Sequence, residues 1–180
     1  MQKMSRVIIV TIIVIIAVTA IAIIKLMPHK AIGISVGDEA PSVSFTLING
    51  TIVNLSQLRG HYVLLYFITT WCSGCAAGVE TINYYAPLIA AKKILVIVVE
   101  SYDDLGYQGM PLPQFMQRFG GPSRNWLVAG YANLTATEKY NPDGYPDIYY
   151  LINDRGIIIY KNVNLASTFS QALDEIKAIK

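Results

Sequence analysis

The chain has few of the residues that form metal sites and nucleic-acid interfaces. Its 180 residues include two cysteines and two histidines, and charged residues make up 14% of the total. A structural zinc site takes four ligands at characteristic spacings, and neither His29 nor His61 lies at such a spacing from another ligand. The net charge of +2 is spread over scattered charges of both signs, without the basic run typical of nucleic-acid binding. The composition therefore argues against a bound metal and a nucleic-acid partner.

The two cysteines lie close together between two different kinds of segment. Residues 62–68 form a continuous β-branched, aromatic and apolar run, which predicts a strand buried on both faces. Residues 76–86 predict a helix, so Cys72 falls near a helix N-terminus, where backbone dipoles and free N–H groups favour a thiolate. A thiolate is the nucleophile of disulfide exchange, and Cys75 can resolve the mixed disulfide that forms.

Two alternatives compete with a redox-active pair. A zinc half-site would need two further ligands. A structural disulfide between Cys72 and Cys75 would close a very short loop and would restrict the unfolded chain little. We therefore interpret the pair as a redox-active dithiol that needs no other cofactor.

The remaining pattern predicts an α/β fold without internal repeats. Alternation from Ser42 to Leu47, the Asn49-Gly50 turn and the run from Thr51 predict a hairpin. Two buried strands joined through the cysteine helix predict a right-handed βαβ unit and a central mixed sheet with helices on both faces. The other predicted elements are strands over 94–99, 126–129, 148–152 and 157–160, and helices over 114–119, 134–140 and from Ser167 onward.

Four segments in order resemble the thioredoxin superfamily, in particular its membrane-anchored TlpA/ResA-like branch. Residues 67–75 (FITTWCSGC) resemble its strand-to-helix active site. The other three segments are 37–41 (GDEAP), like its G-x-x-A-P segment, 54–60 (NLSQLRG), like the stretch before its first central strand, and 144–156 (GYPDIYYLINDRG), like its cis-proline loop, strand and turn. The resemblance implies a thioredoxin-like domain over residues 36–180 and thiol–disulfide exchange.

The resemblance also implies a substrate surface beside the cysteines. It places a cis Tyr145–Pro146 bond opposite the pair, with the backbone of Tyr145 free to bind an extended substrate segment. Trp71 would form an exposed edge of this surface. From its position at the end of the second buried strand, Glu100 is a candidate proton acceptor.

Three positions differ from the family pattern. Related proteins often carry a glutamate three residues after the second cysteine and a proline two residues further on, where this chain has Gly78 and Glu80. The effect of that glutamate on the thiol pKa values of those relatives therefore cannot be assumed for this chain. Asp147 stands where threonine is common, and one interpretation is a charge that affects the choice of partner.

An apolar segment precedes the domain. Residues 7–24 are eighteen residues without a charge, preceded by Lys3 and Arg6. A helix of this length, at about 1.5 Å per residue, nearly spans a hydrocarbon core of about 30 Å. We predict a membrane anchor over residues 1–26 and a linker over 27–35. The alternative is a cleaved signal peptide, for which Ala20-Ile21-Ala22 is a poor cleavage site.

The predicted location is the outer side of the cell membrane. Asn49, Asn54 and Asn133 each begin an Asn-x-Ser/Thr glycosylation acceptor, which has meaning only outside the cytoplasm. A cysteine pair behind an anchor agrees with this side.

The predicted function is a membrane-tethered thiol–disulfide oxidoreductase acting on cysteines of extracytoplasmic proteins, with a further redox partner that recycles the pair. As in related branches, the substrates would be an apocytochrome or a copper-site protein. A Sco-like copper metallochaperone is an alternative, although it has three residues between its cysteines and a distal histidine. A peroxiredoxin is another, and Thr69 fits its Pro-x-x-x-Thr-x-x-Cys approach while Leu65 replaces the proline.

Overall fold

The structure is a computed structural model that describes residues 31–121 and 127–179. The predicted anchor, its cleaved-signal alternative and residues 27–30 of the predicted linker lie outside these residues. None of the helices within the described ranges has the length and apolar character needed to cross a membrane.

Within the described residues, seven strands form one mixed sheet in the order β2-β1-β5-β4-β3-β6-β7. Strand β3 runs parallel to β4, and β4 runs parallel to β5, whereas the other pairs are antiparallel. The strands are β1 (Ser44–Leu47), β2 (Ile52–Asn54), β3 (Val63–Ile68), β4 (Leu95–Glu100), β5 (Leu127–Ala132), β6 (Ile148–Ile152) and β7 (Ile158–Val163). The predicted hairpin and the parallel βαβ unit are both present.

Helices cover both faces of this sheet. They are α1 (Ser73–Tyr84), α2 (Ala86–Ala91), α3 (Leu112–Phe119), α4 (Leu134–Tyr140) and α5 (Leu165–Ala178), with 3₁₀ turns at Leu55–Leu58 and Tyr102–Gly106. Side chains of β3 alternate between two cores, so Leu64 and Tyr66 pack with α1, α2, α3 and α5, whereas Leu65 and Phe67 pack with α4. The predicted thioredoxin-like α/β architecture is confirmed.

Two helix boundaries differ from the prediction. The cysteine helix begins three residues earlier than predicted, with Cys72 as its N-cap, and Pro87 lies in the first turn of a separate helix. The final helix begins at Leu165 and its N-cap is Asn164 in the left-handed region (φ 54°), so the predicted start at Ser167 is wrong. Asparagine tolerates this conformation better than most residues, and a buried carboxylate accepts the N–H of Leu165.

The sheet register brings three separate segments to one edge. At the end of β3, Ile68 pairs with Glu100 of β4, and Phe67 pairs with Ile148 of β6. The cysteine segment follows β3, the 3₁₀ turn follows β4, and the Tyr145-Pro146 loop leads into β6. Residues distant in sequence therefore meet around the cysteines.

Candidate active site

The two cysteines have different environments within one helical turn. Both are free thiols, Cys72 is partly exposed, and Cys75 is 0% exposed. The Cys72 Sγ caps helix α1 by accepting the backbone N–H of Cys75 at 3.3 Å. The Cys75 thiol donates to the carbonyl oxygen of Pro146 at 3.2 Å. Cys72 is therefore the sulfur that a partner can reach, and Cys75 lies behind it.

Burial keeps Cys75 protonated. Loss of solvent raises the pKa of the Cys75 thiol well above its ordinary value, and its hydrogen bond with Cys72 and the charges of Cys72 and Asp147 raise it further. A contact with Thr69 acts in the opposite direction but is outweighed. Before Cys75 can act as a nucleophile, its proton must go to another group.

The Pro146 loop reaches the cysteines, but with a different backbone from the one expected. The described residues contain no cis peptide bond, so Tyr145–Pro146 is trans and the expectation of a cis bond is wrong. The trans form is the lower-energy state of an X–Pro bond by about 0.5–1 kcal/mol. The loop places the Pro146 carbonyl against Cys75 without leaving that state.

The backbone of Tyr145 is already occupied. The side-chain amide of Asn141 accepts the Tyr145 N–H at 2.8 Å and donates to the Tyr145 carbonyl at 2.7 Å. The expectation that this backbone is free to pair with a substrate strand is therefore wrong. The Tyr145 side chain is exposed and remains part of the surface near the pair.

Trp71 is held at the exposed side of the site. The residue is 39% exposed, its ring centroid lies 5.0 Å from that of Tyr107, and its indole N–H donates to the Asp104 carbonyl at 2.8 Å. The Asp104 carboxylate accepts both the backbone N–H and the hydroxyl of Thr70, at 2.8 and 2.6 Å. Asp104 thus fixes the two residues that precede Cys72.

The segment that carries Asp104 has an unusual backbone. Asp103, Asp104 and Leu105 all lie in the left-handed region, with φ of 52°, 48° and 59°. This conformation costs roughly 1–2 kcal/mol per residue outside glycine. The buried contacts of Asp104 offset part of this cost. Sequence reasoning missed Asp104, because a charged residue in a loop rich in glycine and tyrosine gives no signal of burial.

Glu100 lies at the end of β4, where burial and, second, the charge of Asp104 raise its pKa to about 7. In the sheet it pairs with Ile68 and Tyr131. The acidic side chain whose charge acts on Cys75 is Asp147, in the loop before β6. The role of Glu100 as a proton acceptor stays a prediction.

Asp147 is a buried carboxylate behind the cysteine pair. It is 4% exposed, so its interpretation as a surface charge for partner choice is wrong. One carboxylate oxygen accepts the Tyr66 hydroxyl and the other accepts the Leu165 N–H, both at 3.2 Å. A methyl group on Gly74 would lie 3.6 Å from the Cys72 sulfur and 4.0 Å from an Asp147 oxygen.

Comparisons with known proteins agree with this geometry. Residues 35–176 match the model of the Redoxin family. The thiol-disulfide oxidoreductase ResA of Geobacillus kaustophilus (strain HTA426) is 29% identical over 87 residues, which is 48% of this chain and 48% of that protein. The matched segment thus spans about half the length of this curated relative.

Solved structures show the same fold at low identity. A protein from Chlorobium tepidum assigned as the thiol:disulfide interchange protein DsbE superposes with a TM-score of 0.64 at 20% identity, covering 81% of this chain and 96% of that chain. The exposed lipoprotein thioredoxin of Streptococcus pneumoniae strain TIGR4 superposes with a TM-score of 0.54 at 19% identity, covering 75% and 99%. Because the family model matches most of its length, the chain belongs to the Redoxin family, and the superpositions show that its fold is thioredoxin-like.

Proposed function

We propose that this protein is a thiol–disulfide oxidoreductase in which Cys72 exchanges with partner sulfurs and Cys75 resolves the mixed disulfide. The observation that carries the proposal is the asymmetry of the pair. Cys72 caps a helix and is partly exposed, whereas Cys75 is buried against the Pro146 carbonyl. A helix N-terminus favours a thiolate at the cap position.

The exchange is a two-step transfer of two electrons. The Cys72 thiolate attacks one sulfur of a partner disulfide, the partner S–S bond breaks, and one partner sulfur leaves as a thiolate. Cys75 then loses its proton and attacks the Cys72 sulfur, so the second partner sulfur leaves and the Cys72–Cys75 disulfide forms. The same steps in reverse oxidise a partner dithiol. The disulfide itself is the only redox group that the proposal requires.

The proposed substrates are cysteines of other proteins. Trp71, Tyr107 and Tyr145 expose aromatic surface near Cys72 and can bind an extended polypeptide. The proposal includes a further redox protein that recycles the pair, and maturation of cytochrome c or of a metal site as the use of the exchange.

The proposed location is the outer face of a membrane, with residues 1–26 as the anchor. Its support is the apolar run over residues 7–24 together with the exposed acceptor residues Asn49 and Asn133. A relative of the same fold is an exposed lipoprotein thioredoxin. Asn54 is the least suitable acceptor of the three, because its side chain bonds Ser42, Ser44 and Ser56. Protease added to intact cells should remove the domain if this location is right.

A trapping experiment tests the function. The Cys75→Ser variant should accumulate a mixed disulfide between Cys72 and its partner, which mass spectrometry of a non-reduced sample identifies. The matched Cys72→Ser variant should trap nothing, because the remaining thiol is buried. Equal trapping by both variants, or trapping through Cys75 alone, would contradict the proposed roles. Tight copper binding by the reduced protein, or rapid peroxide turnover, would instead favour the two alternatives.

A further inference from the structure

Asp147, Tyr66 and Gly78 form a buried unit behind Cys75. The Asp147 carboxylate is held by the Tyr66 hydroxyl of β3 and by the Leu165 N–H at the start of α5. Toward helix α1 it faces Gly74, between the two cysteines. The other titratable groups around it are Cys72, Cys75, Tyr66 and Tyr149, and no basic side chain bonds it among the described residues.

Tyr66 reaches this position because of a glycine in the helix. A methyl group on Gly78 would lie 2.2 Å from the Tyr66 hydroxyl oxygen, so no larger residue fits there without displacing the ring. Tyr66 itself is 0% exposed and packs edge-on against Tyr149. Gly78, Tyr66 and Asp147 therefore come from a helix, a strand and the loop before β6, and they act together to fix one carboxylate.

We propose that Asp147 accepts the proton of Cys75 during resolution of the mixed disulfide, and that Tyr66 is a positioning residue for its carboxylate. This inference rests on the proposed thiol–disulfide exchange. Cys75 cannot attack while it holds its proton. Its thiol contacts the carbonyl of Pro146, the residue next to Asp147, and an Asp147 oxygen faces Gly74, the residue next to Cys75. The proton crosses directly or through one water molecule, as general-base transfers commonly do.

The step balances without an additional reagent. The S–H bond of Cys75 breaks and its proton moves to an Asp147 oxygen. The Cys75 electron pair forms the bond to the Cys72 sulfur, and the bond between Cys72 and the partner sulfur breaks with its pair leaving on the partner thiolate. Burial raises the pKa of Asp147 above its ordinary value, which brings its proton affinity closer to that of a thiol. In the reverse reaction, the protonated Asp147 returns the proton to Cys75.

The experiment uses reduced protein and the chromogenic disulfide dithiobis(nitrobenzoate). Attack by Cys72 releases one nitrothiobenzoate in a first phase, and resolution by Cys75 releases the second in a later phase. The variant is Asp147→Asn, because its amide oxygen can still accept the Leu165 N–H, and its NH2 group can donate to the Tyr66 hydroxyl, which can also accept. We expect an unchanged first phase and a second phase slower by about tenfold or more at neutral pH.

The sign of the effect distinguishes this role from a simple charge effect. The charge of Asp147 raises the pKa of Cys75, so a purely electrostatic role predicts faster resolution in Asp147→Asn. A proton acceptor predicts slower resolution, with a steeper rise of the second-phase rate with pH than in the parent. Tyr66→Phe should change the rate and the pH profile in the same direction by a smaller factor.

The control is Asp143→Asn, an exposed aspartate in the loop before Asp147, which should leave both phases unchanged. Thermal unfolding of each variant checks that the fold is retained. A second phase that is unchanged or faster in Asp147→Asn would overturn the role of Asp147 while leaving the exchange proposal intact. Absence of the first phase in the parent protein would instead overturn the proposed function.

Discussion

The two sides of the cysteine motif differ in their side chains and in their exposure to solvent. On the Cys72 side, exposed rings of Trp71 and Tyr107 lie over a turn with a left-handed backbone. On the Cys75 side, the sulfur contacts the Pro146 carbonyl inside a core that also contains Asp147. The comparison shows how one short motif can expose one sulfur to partners and keep the other buried against the protein.

The largest effect should appear in the reactivity of the two thiols. In the reduced protein, iodoacetamide should modify Cys72 at least about 100-fold faster than Cys75 near neutral pH, because the Cys75 thiol is buried and its pKa is raised. Mass-spectrometric mapping of the alkylated sites after a short reaction measures the ratio. The Cys72→Ser variant isolates the slow thiol. Comparable rates for the two cysteines would remove the difference between the two sides.

The buried side should be sensitive to added volume at Gly78. We expect Gly78→Ala to lower the free energy of unfolding by about 3 kcal/mol, because its methyl group would overlap the Tyr66 hydroxyl. Urea unfolding measures the change. The double variant with Tyr66→Phe should recover part of the loss, since the closest atom is then absent. No coupling between the two substitutions would show that Tyr66 and Gly78 do not constrain each other.

The exposed side should depend on Asp104. Asp104→Ala leaves the N–H and hydroxyl of Thr70 without their partner and should cost about 2 kcal/mol of unfolding free energy. It should also change the fluorescence of Trp71, whose indole bonds the same residue. Asp103→Ala is the matched control, because Asp103 is exposed and has a similar left-handed backbone. Equal losses in both variants would trace the effect to backbone strain alone.

The sequence predicted some features of the two sides of the cysteine motif and not others. It predicted the sheet, the βαβ unit and the position of Cys72 near a helix N-terminus, because these depend on contiguous runs and on a motif within one segment. It did not predict the burial of Asp104 and Asp147. Asp104 bonds Thr70, which is 34 residues away in sequence, and Asp147 bonds Tyr66, which is 81 residues away. It also missed the bonds from Asn141 to Tyr145, which only the folded loop reveals. Contacts made by tertiary packing leave little trace in local patterns.

The smallest predicted effect concerns the pH dependence of stability. Glu100 has a pKa raised from 4.5 to about 7 by burial and by the charge of Asp104. The folded protein therefore keeps this proton to a higher pH than the unfolded chain, so the folded state binds more protons between pH 4.5 and about 7. In that window stability falls as pH rises, and the loss is complete above it.

Glu100→Gln should remove this contribution. The urea midpoint of the variant relative to the parent should increase from pH 4 to pH 8, following about the titration of one group. Asp147 has its pKa raised as well, so part of the parent's pH dependence should remain in the variant. Glu80→Gln, an exposed position on helix α1, is the control and should give a curve parallel to the parent. A Glu100→Gln curve that is also parallel to the parent would mean that Glu100 has the same pKa in the folded and unfolded chains.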